Sequence, residues 1–365
     1  MSEGSLVRQG SVAYLLGICL VATLGGFLFG YDTAVISGAI GALQSRFDLG
    51  PTLKGWAASS ALLGCILGVV LAGPVSDRLG RRRALILAAV LFLVSALGTA
   101  FPRTLAEFVI FRIVGGIGVG IASMTSPMYI AEVSPRQIRG RMVSLNQFAI
   151  VFGMLVVYFV NYYISLQGDE AWNVARGWRW MFGSEALPAF ALMVLLFFVP
   201  PTPRWLVKQG RTSEARRILQ RIGGPQHAER ELDEIARTIS HKSESMAQLF
   251  RPGMRIALVI GVALAILQQV TGINVFLYYA PEIFKKLGSA ASSALLQTVV
   301  VGGVNMAFTL IAIWTVDTLG RKPLMIFGST GMAICLFALG LAASLRHIEA
   351  WALAFVLGYI ALSLI

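Results

Sequence analysis

Apolar residues in this chain come in long unbroken runs, without the alternation or the three-and-four spacing of a soluble fold. Ten such runs cover 12–40, 54–75, 84–101, 107–129, 142–164, 181–199, 254–284, 294–316, 323–344 and 350–365. Most approach the roughly 20 residues a helix needs to cross a bilayer. They predict an all-α polytopic membrane protein. The last run has 16 residues. At about 1.5 Å per residue it falls short of a full crossing, so the sequence is expected to stop in mid-helix.

One polar stretch, 200–253, separates the sixth run from the seventh. Within it, Thr212-Ser213 can cap a helix with Ala215, Ile218, Leu219 and Ile222 on one face, ended by Gly223-Gly224-Pro225. A second helix carries Leu232, Ile235 and Ile239 on one face. Each needs a partner surface, most simply the inner ends of the spans.

Composition agrees with the runs. The chain is 56% hydrophobic and 13% charged, against about 25% charged in a soluble protein. A net charge of +12 would suggest nucleic acid in a soluble chain; here basic loops orient the spans, and no nucleic acid is expected. With the N-terminus inside, the cytoplasmic segments hold 21 Lys and Arg and the outer segments eight. This predicts a multi-pass protein of the inner (plasma) membrane with a cytoplasmic N-terminus, whose first run is retained and not cleaved. Cys19, Cys65 and Cys335 lie in apolar runs and offer neither metal spacing nor a disulfide framework. His227, His241 and His347 are expected in loops. With no nucleophile elbow, P-loop or metal-ligand cluster, the sequence predicts no enzyme, no metal and no cofactor.

Asp77-Arg-Leu-Gly-Arg-Arg-Arg83 recurs 240 residues later as Asp317-Thr-Leu-Gly-Arg-Lys-Pro323. Six spans separate the copies. The chain therefore reads as two homologous halves: a six-helix half over 1–199, a cytoplasmic linker over 200–253, and an incomplete half of about four helices over 254–365. Parallel halves with substrate between them are a transporter pattern.

Few polar residues interrupt the spans. Asp32 sits among glycines in the first, where a lone carboxylate costs several kcal/mol and demands a partner. Arg112, in the fourth, is the one internal base. Gln147 is on the fifth span, Gln268, Gln269 and Asn274 on the seventh, and Asn305 on the eighth. Amides both donate and accept, which suits the hydroxyls of a neutral polyol, and rings such as Phe29 and Tyr278 can cover the apolar face of a sugar. The same amides could instead join helices to one another. Gly272 and Pro281 let the seventh span bend. At the cytoplasmic ends, the repeated turns with Asp77, Arg78, Arg81, Asp317 and Arg321, together with Glu132 and Arg139 after span four, could form an ion-pair lock, or could be ordinary orienting loops.

FGYDTAVISG (29–38), GPVSDRLGRRR (73–83), RIVGGIGVGIASMTSPMYIAEVSP (112–135), RGRMVSLNQFAIVFG (139–153), QQVTGINVFLYYAP (268–281) and VDTLGRKP (316–323) together carry a resemblance. The chain resembles the sugar porter family of the major facilitator superfamily, above all its bacterial proton-coupled members. The resemblance implies the twelve-span major facilitator fold, here truncated in the tenth span. It implies that Asp32 couples protons with Arg112 as its partner, that Gln147, Gln268, Gln269, Asn274 and Asn305 bind sugar, and that Phe29 and Tyr278 flank the cavity. It implies a cytoplasmic gate of Asp77, Arg78, Arg81, Glu132, Arg139, Arg204, Asp317 and Arg321. Met154 stands where close members have a second glutamine, and Pro201 replaces a gate glutamate. The implied function is a secondary active transporter that moves a monosaccharide, pentose or hexose, with a proton by alternating access, acting as a monomer in the bilayer. The alternatives are a proton-independent facilitator and a sugar sensor that transports nothing.

Overall fold

The computed structural model describes residues 11–240, 254–286, 290–344 and 351–363. These form α-helices: α1 (Val12–Phe47), α2 (Pro51–Leu79), α3 (Arg81–Ala100), α4 (Leu105–Val133), α5 (Arg139–Ser165), α6 (Glu170–Trp172), α7 (Trp178–Gly183), α8 (Ala186–Leu196), α9 (Pro203–Lys208), α10 (Thr212–Gly223), α11 (Pro225–Ser240), α12 (Met254–Val270), α13 (Ile273–Lys286), α14 (Ala291–Leu319), α15 (Arg321–Ser344) and α16 (Trp351–Leu362). Among the described residues nine helical stretches are long and apolar enough to cross a membrane.

Local chemistry sets the boundaries. Ser11 caps α1 by accepting from the Tyr14 amide at 3.1 Å, and Thr104 caps α4 through the Glu107 amide at 3.2 Å. Gly80, at φ +87°, makes the turn between α2 and α3 within the first Asp-x-x-Gly-Arg copy; Gly320, at φ +81°, makes the equivalent turn in the second. The side chains of Asp317 and Arg321, which flank Gly320, lie outside the described residues. The structure departs from the sequence reading at α1, the sixth span and His227, and again in the seventh span described below. α1 continues to Phe47 and ends at Asp48, whose left-handed backbone (φ 48°) closes the last turn with its amide on the Gln44 carbonyl. The sixth span starts at Glu170 and reaches Leu196 through α6, a π-turn over Asn173–Gly177, α7 and α8. His227 belongs to α11, not to a loop.

Small residues bring α1, α4 and α5 together. A Cβ on Gly30 would overlap the Ile150 carbonyl of α5, and one on Gly153 would overlap the Phe27 carbonyl of α1, so the two glycines set that crossing reciprocally. The helix faces turned away from these packings expose large apolar side chains, such as Val70, Leu187 and Phe190. In a bilayer such faces meet lipid.

The linker helices fold onto the molecule. Ala215, Leu219 and Ile222 are buried, as the periodicity predicts; Ala215 and Leu219 pack with Trp205, Leu206, Ala228 and Leu232, while Ile222 joins the core formed by the long helices. Arg211, not Thr212 or Ser213, precedes α10, and it pairs with Glu214 at 2.7 Å. The Ser11 amide donates to the Arg221 carbonyl at 3.0 Å, tying the linker to the start of α1.

Candidate functional site

Asp32 and Arg112 meet. The Arg112 Nη1 donates to Asp32 Oδ1 at 2.6 Å and to the Asp32 backbone carbonyl at 3.2 Å, and both side chains are almost wholly buried. The Arg112 guanidinium also lies 5.6 Å from the centre of the Phe182 ring. Gly115, one helical turn after Arg112, leaves space for this approach: a Cβ there would collide with Ser95 and press on Asp32.

Sequence reasoning gives Asp32 one partner, Arg112; the structure adds a second buried acid beside the pair. Glu185, between α7 and α8, is 1% exposed, and its carboxyl is within hydrogen-bonding reach of Asp32. Two carboxyls can share a hydrogen bond only with a proton between them. Glu185 Oε1 and Arg112 Nε have no hydrogen-bond partner among the described residues. The signal for Glu185 is present in the sequence, as an acid inside the apolar stretch 181–199. Three dispersed elements, α1, α4 and the α7–α8 join, thus contribute to one buried cluster of two acids and one base.

The amides and rings occupy a second arrangement. α1 packs on α5, α5 on α14, α14 on α13 and α13 on α1, closing a ring. Phe29 is on α1 and half-buried. Gln147 on α5 is exposed, and it shares a stripe with Met154 and Tyr158 at steps of seven and eleven residues. The Tyr158 hydroxyl donates to the Leu277 carbonyl of α13 at 3.4 Å, so that stripe faces the C-terminal helices. On α14, Gly302 lies against Tyr158, and Asn305 follows one turn later, 4% exposed with its Oδ1 unpartnered among the described residues. Tyr278 on α13 is buried beside this contact.

The helix predicted for the seventh span is broken at Thr271-Gly272, where Gly272 has φ +80°. The Tyr359 hydroxyl donates to the Thr271 carbonyl freed there, at 2.6 Å. Gln268 and Gln269 at the end of α12 are exposed; Gln269 Oε1 accepts from Asn274 Nδ2 at 2.9 Å. Other amides do join helices. Asn146 Oδ1 accepts from Ser126 at 2.9 Å, and Asn161 Nδ2 donates to the Val35 carbonyl at 3.2 Å. Both are buried, unlike Gln147.

At the face that carries the linker, Arg81 bridges Asp77 at 3.0 Å and Glu132 at 3.1 Å, which ties α2, α3 and α4 together. Trp205 donates to the Asp77 carbonyl at 3.1 Å. Arg139 donates to the Ser134 carbonyl at 3.4 Å. Arg78 and Arg204 are exposed and form no ion pair among the described residues. The described ion pairs at this face therefore lie within the helices before α12 and the linker. The pair that reaches α13 is at the opposite face: Lys54 at the start of α2 meets Glu282 at 2.9 Å, and Gln44 accepts from the same ammonium at 2.7 Å. Lys285 adds a second cation to Glu282 at 3.4 Å.

The family model for sugar (and other) transporters matches residues 18–364. The chain belongs to this sugar transporter family. Among curated relatives it is 49% identical to the D-xylose-proton symporter of Escherichia coli over 360 residues, covering 92% of this chain and 73% of that one. It is 43% identical to the arabinose-proton symporter of Bacillus subtilis, covering 92% and 72% respectively. Among solved structures it resembles the partially occluded inward open conformation of the E. coli xylose transporter, with a TM-score of 0.88, 46% identity and coverage of 96% of this chain and 84% of the other. This sugar transporter has the major facilitator fold, is a multi-span membrane protein and is not an enzyme.

Proposed function

We propose that this transporter moves a monosaccharide together with a proton by alternating access. The observation that carries the proposal is the buried cluster of Asp32, Glu185 and Arg112. In a low-dielectric interior a net charge is expensive. One guanidinium balances one carboxylate, so two carboxyls need one further proton for neutrality. Rocking the helices would open the cluster to water on one side, release that proton, and let Arg112 pair anew.

The substrate reading rests on the ring of α1, α5, α13 and α14 and on the end of α12 that leads into α13. Gln147, Asn305 and the Gln268, Gln269 and Asn274 group supply donors and acceptors, and Phe29 and Tyr278 supply flat apolar surface, a set matched to a neutral sugar. The named relatives transport xylose and arabinose with protons, which points to a pentose. Competition among a panel of pentoses and hexoses for uptake identifies the sugar. The repeat and the linker support an organisation of 1–199, 200–253 and 254–365, with Asp77, Arg78, Arg81, Glu132, Arg139, Arg204, Asp317 and Arg321 as the linker-face gate. The charge bias supports an inner-membrane monomer with its N-terminus inside.

Asp32→Asn tests the coupling. Proton-driven accumulation, and the alkalinisation that accompanies sugar entry, are expected to vanish, while sugar counterflow survives. Accumulation that persists in the variant would remove the coupling role of Asp32, whereas a parent that shows neither accumulation nor alkalinisation would be a facilitator.

A further inference from the structure

The face opposite the linker holds a cluster of arginines that transport does not use. A cavity of about 650 Å³ opens between the end of α3 and the sixth span, lined by Leu97, Phe101, Arg176, Arg179 and Trp180 among others. The Arg179 guanidinium is fixed in place: it donates to the Ala100 carbonyl at 3.0 Å and the Pro102 carbonyl at 3.4 Å, and lies 4.6 Å from the Trp178 ring centre. Arg176 is exposed beside it. Neither arginine meets a carboxylate among the described residues, and Arg46 at the end of α1 is close enough to repel Arg179. Nearby acids are otherwise engaged: Asp169 accepts from the Trp172 amide and Glu107 from the Arg103 amide. The cavity thus presents two guanidiniums that no carboxylate among the described residues neutralises.

Its surroundings are those of a lipid. Trp180 is 64% exposed and Phe101 74%, aromatic rings at the ends of spans, of the kind that gather among headgroups. Below them, exposed Val90, Val94 and Leu97 descend α3 while Leu187, Phe190 and Val194 descend α8. These two helices are packed neighbours, so the stripes border one groove that leads into the cavity. A phosphodiester matches two guanidiniums at short range. A choline or ethanolamine headgroup would add a third cation, which an uncharged headgroup avoids.

We propose that this cavity binds an anionic phospholipid with an uncharged headgroup, its phosphate on Arg176 and Arg179 and an acyl chain along the α3–α8 groove. The test is native mass spectrometry of the detergent-purified full chain titrated with phosphatidylglycerol or phosphatidylcholine of identical chains. Phosphatidylglycerol is expected to be retained in preference. Arg176→Gln should weaken its binding several-fold, and Arg176→Gln/Arg179→Gln on the order of tenfold, while Arg103→Gln, an equal loss of charge on the same face, should change little. Because Arg179 also holds backbone carbonyls, the exposed Arg176 variant keeps the test valid if the double variant fails to fold. Equal retention of the two lipids overturns the proposal, as does an Arg176→Gln chain that binds like the parent. Displacement of the lipid by glycerol phosphate at equal concentration also overturns it, since the acyl groove would then contribute nothing.

Discussion

At position 112 one guanidinium pairs with Asp32 in a cluster that also buries Glu185, and that ratio of one base to two acids decides what substitutions do. Arg112→Met would leave Asp32 and Glu185 buried without a cation. It is expected to destabilise the protein by about 3–5 kcal/mol, the usual cost of orphaning a buried charge. Adding Asp32→Asn to Arg112→Met removes the orphan and should restore much of the loss. The two melting temperatures in detergent, compared with that of the parent, measure this. A double variant no more stable than Arg112→Met would mean that the cluster is held by packing and not by charge. Asp32 and Arg112 can be paired from sequence because each is the conspicuous charge in its span. Glu185 is harder to find, since it sits near the end of an apolar run, where an acid could equally face water.

Two elements have properties that their sequences only suggest. The break between α12 and α13 depends on a left-handed residue at 272. Gly272→Val places a β-branched side chain there, at a cost of about 1–2 kcal/mol or more, and should re-straighten or strain the helix and lower the transport rate. Uptake kinetics check this, and an unchanged rate would show that the bend is not used. The linker makes a pH prediction. Burial holds His227 below the ordinary imidazole value, with Arg230 acting in the same direction and Glu231 opposing. The unfolded linker therefore binds a proton at higher pH than the folded one. Stability is complete above about pH 6.5 and falls as the pH drops through that value. Hydrogen-exchange protection over 212–240, corrected for intrinsic rates, should decline on moving from pH 7.5 to 5.5 in the parent and hold steady in His227→Gln.

For the molecule as a whole, the described ion pairs are asymmetric across the membrane. Lys54 and Glu282 tie α2 to α13 at the face opposite the linker, while α12 has no buried residue among those described. A partly buried pair of this kind contributes up to about 1 kcal/mol, enough to shift a two-state population about fivefold. Lys54→Glu alone should widen the distance distribution between spin labels near residues 53 and 283, and the exchange Lys54→Glu/Glu282→Lys should narrow it again. Identical distributions in all three proteins would show that the pair does not bias the conformation.

Sequence by itself determined the spans, the class and the family motifs, because crossing a bilayer requires long apolar helices and each can be read locally. It also determined which residues are chemically unusual there: Asp32, Arg112, Gln147, Gln268, Gln269, Asn274 and Asn305. Only the tertiary structure decided who meets whom. It placed Glu185 beside Asp32, set the stripe of Gln147 and Tyr158 toward α13 and α14, and buried Asn146 and Asn161 as helix contacts. It also extended the sixth span back to Glu170 and put Arg81, not Arg139, between Asp77 and Glu132. The physical reason is that hydropathy measures the cost of leaving water, which each segment bears alone. Charge pairing and amide partnership depend on helix rotation and crossing, which glycine contacts such as Gly30–Ile150 and Gly153–Phe27 fix between segments far apart in the chain.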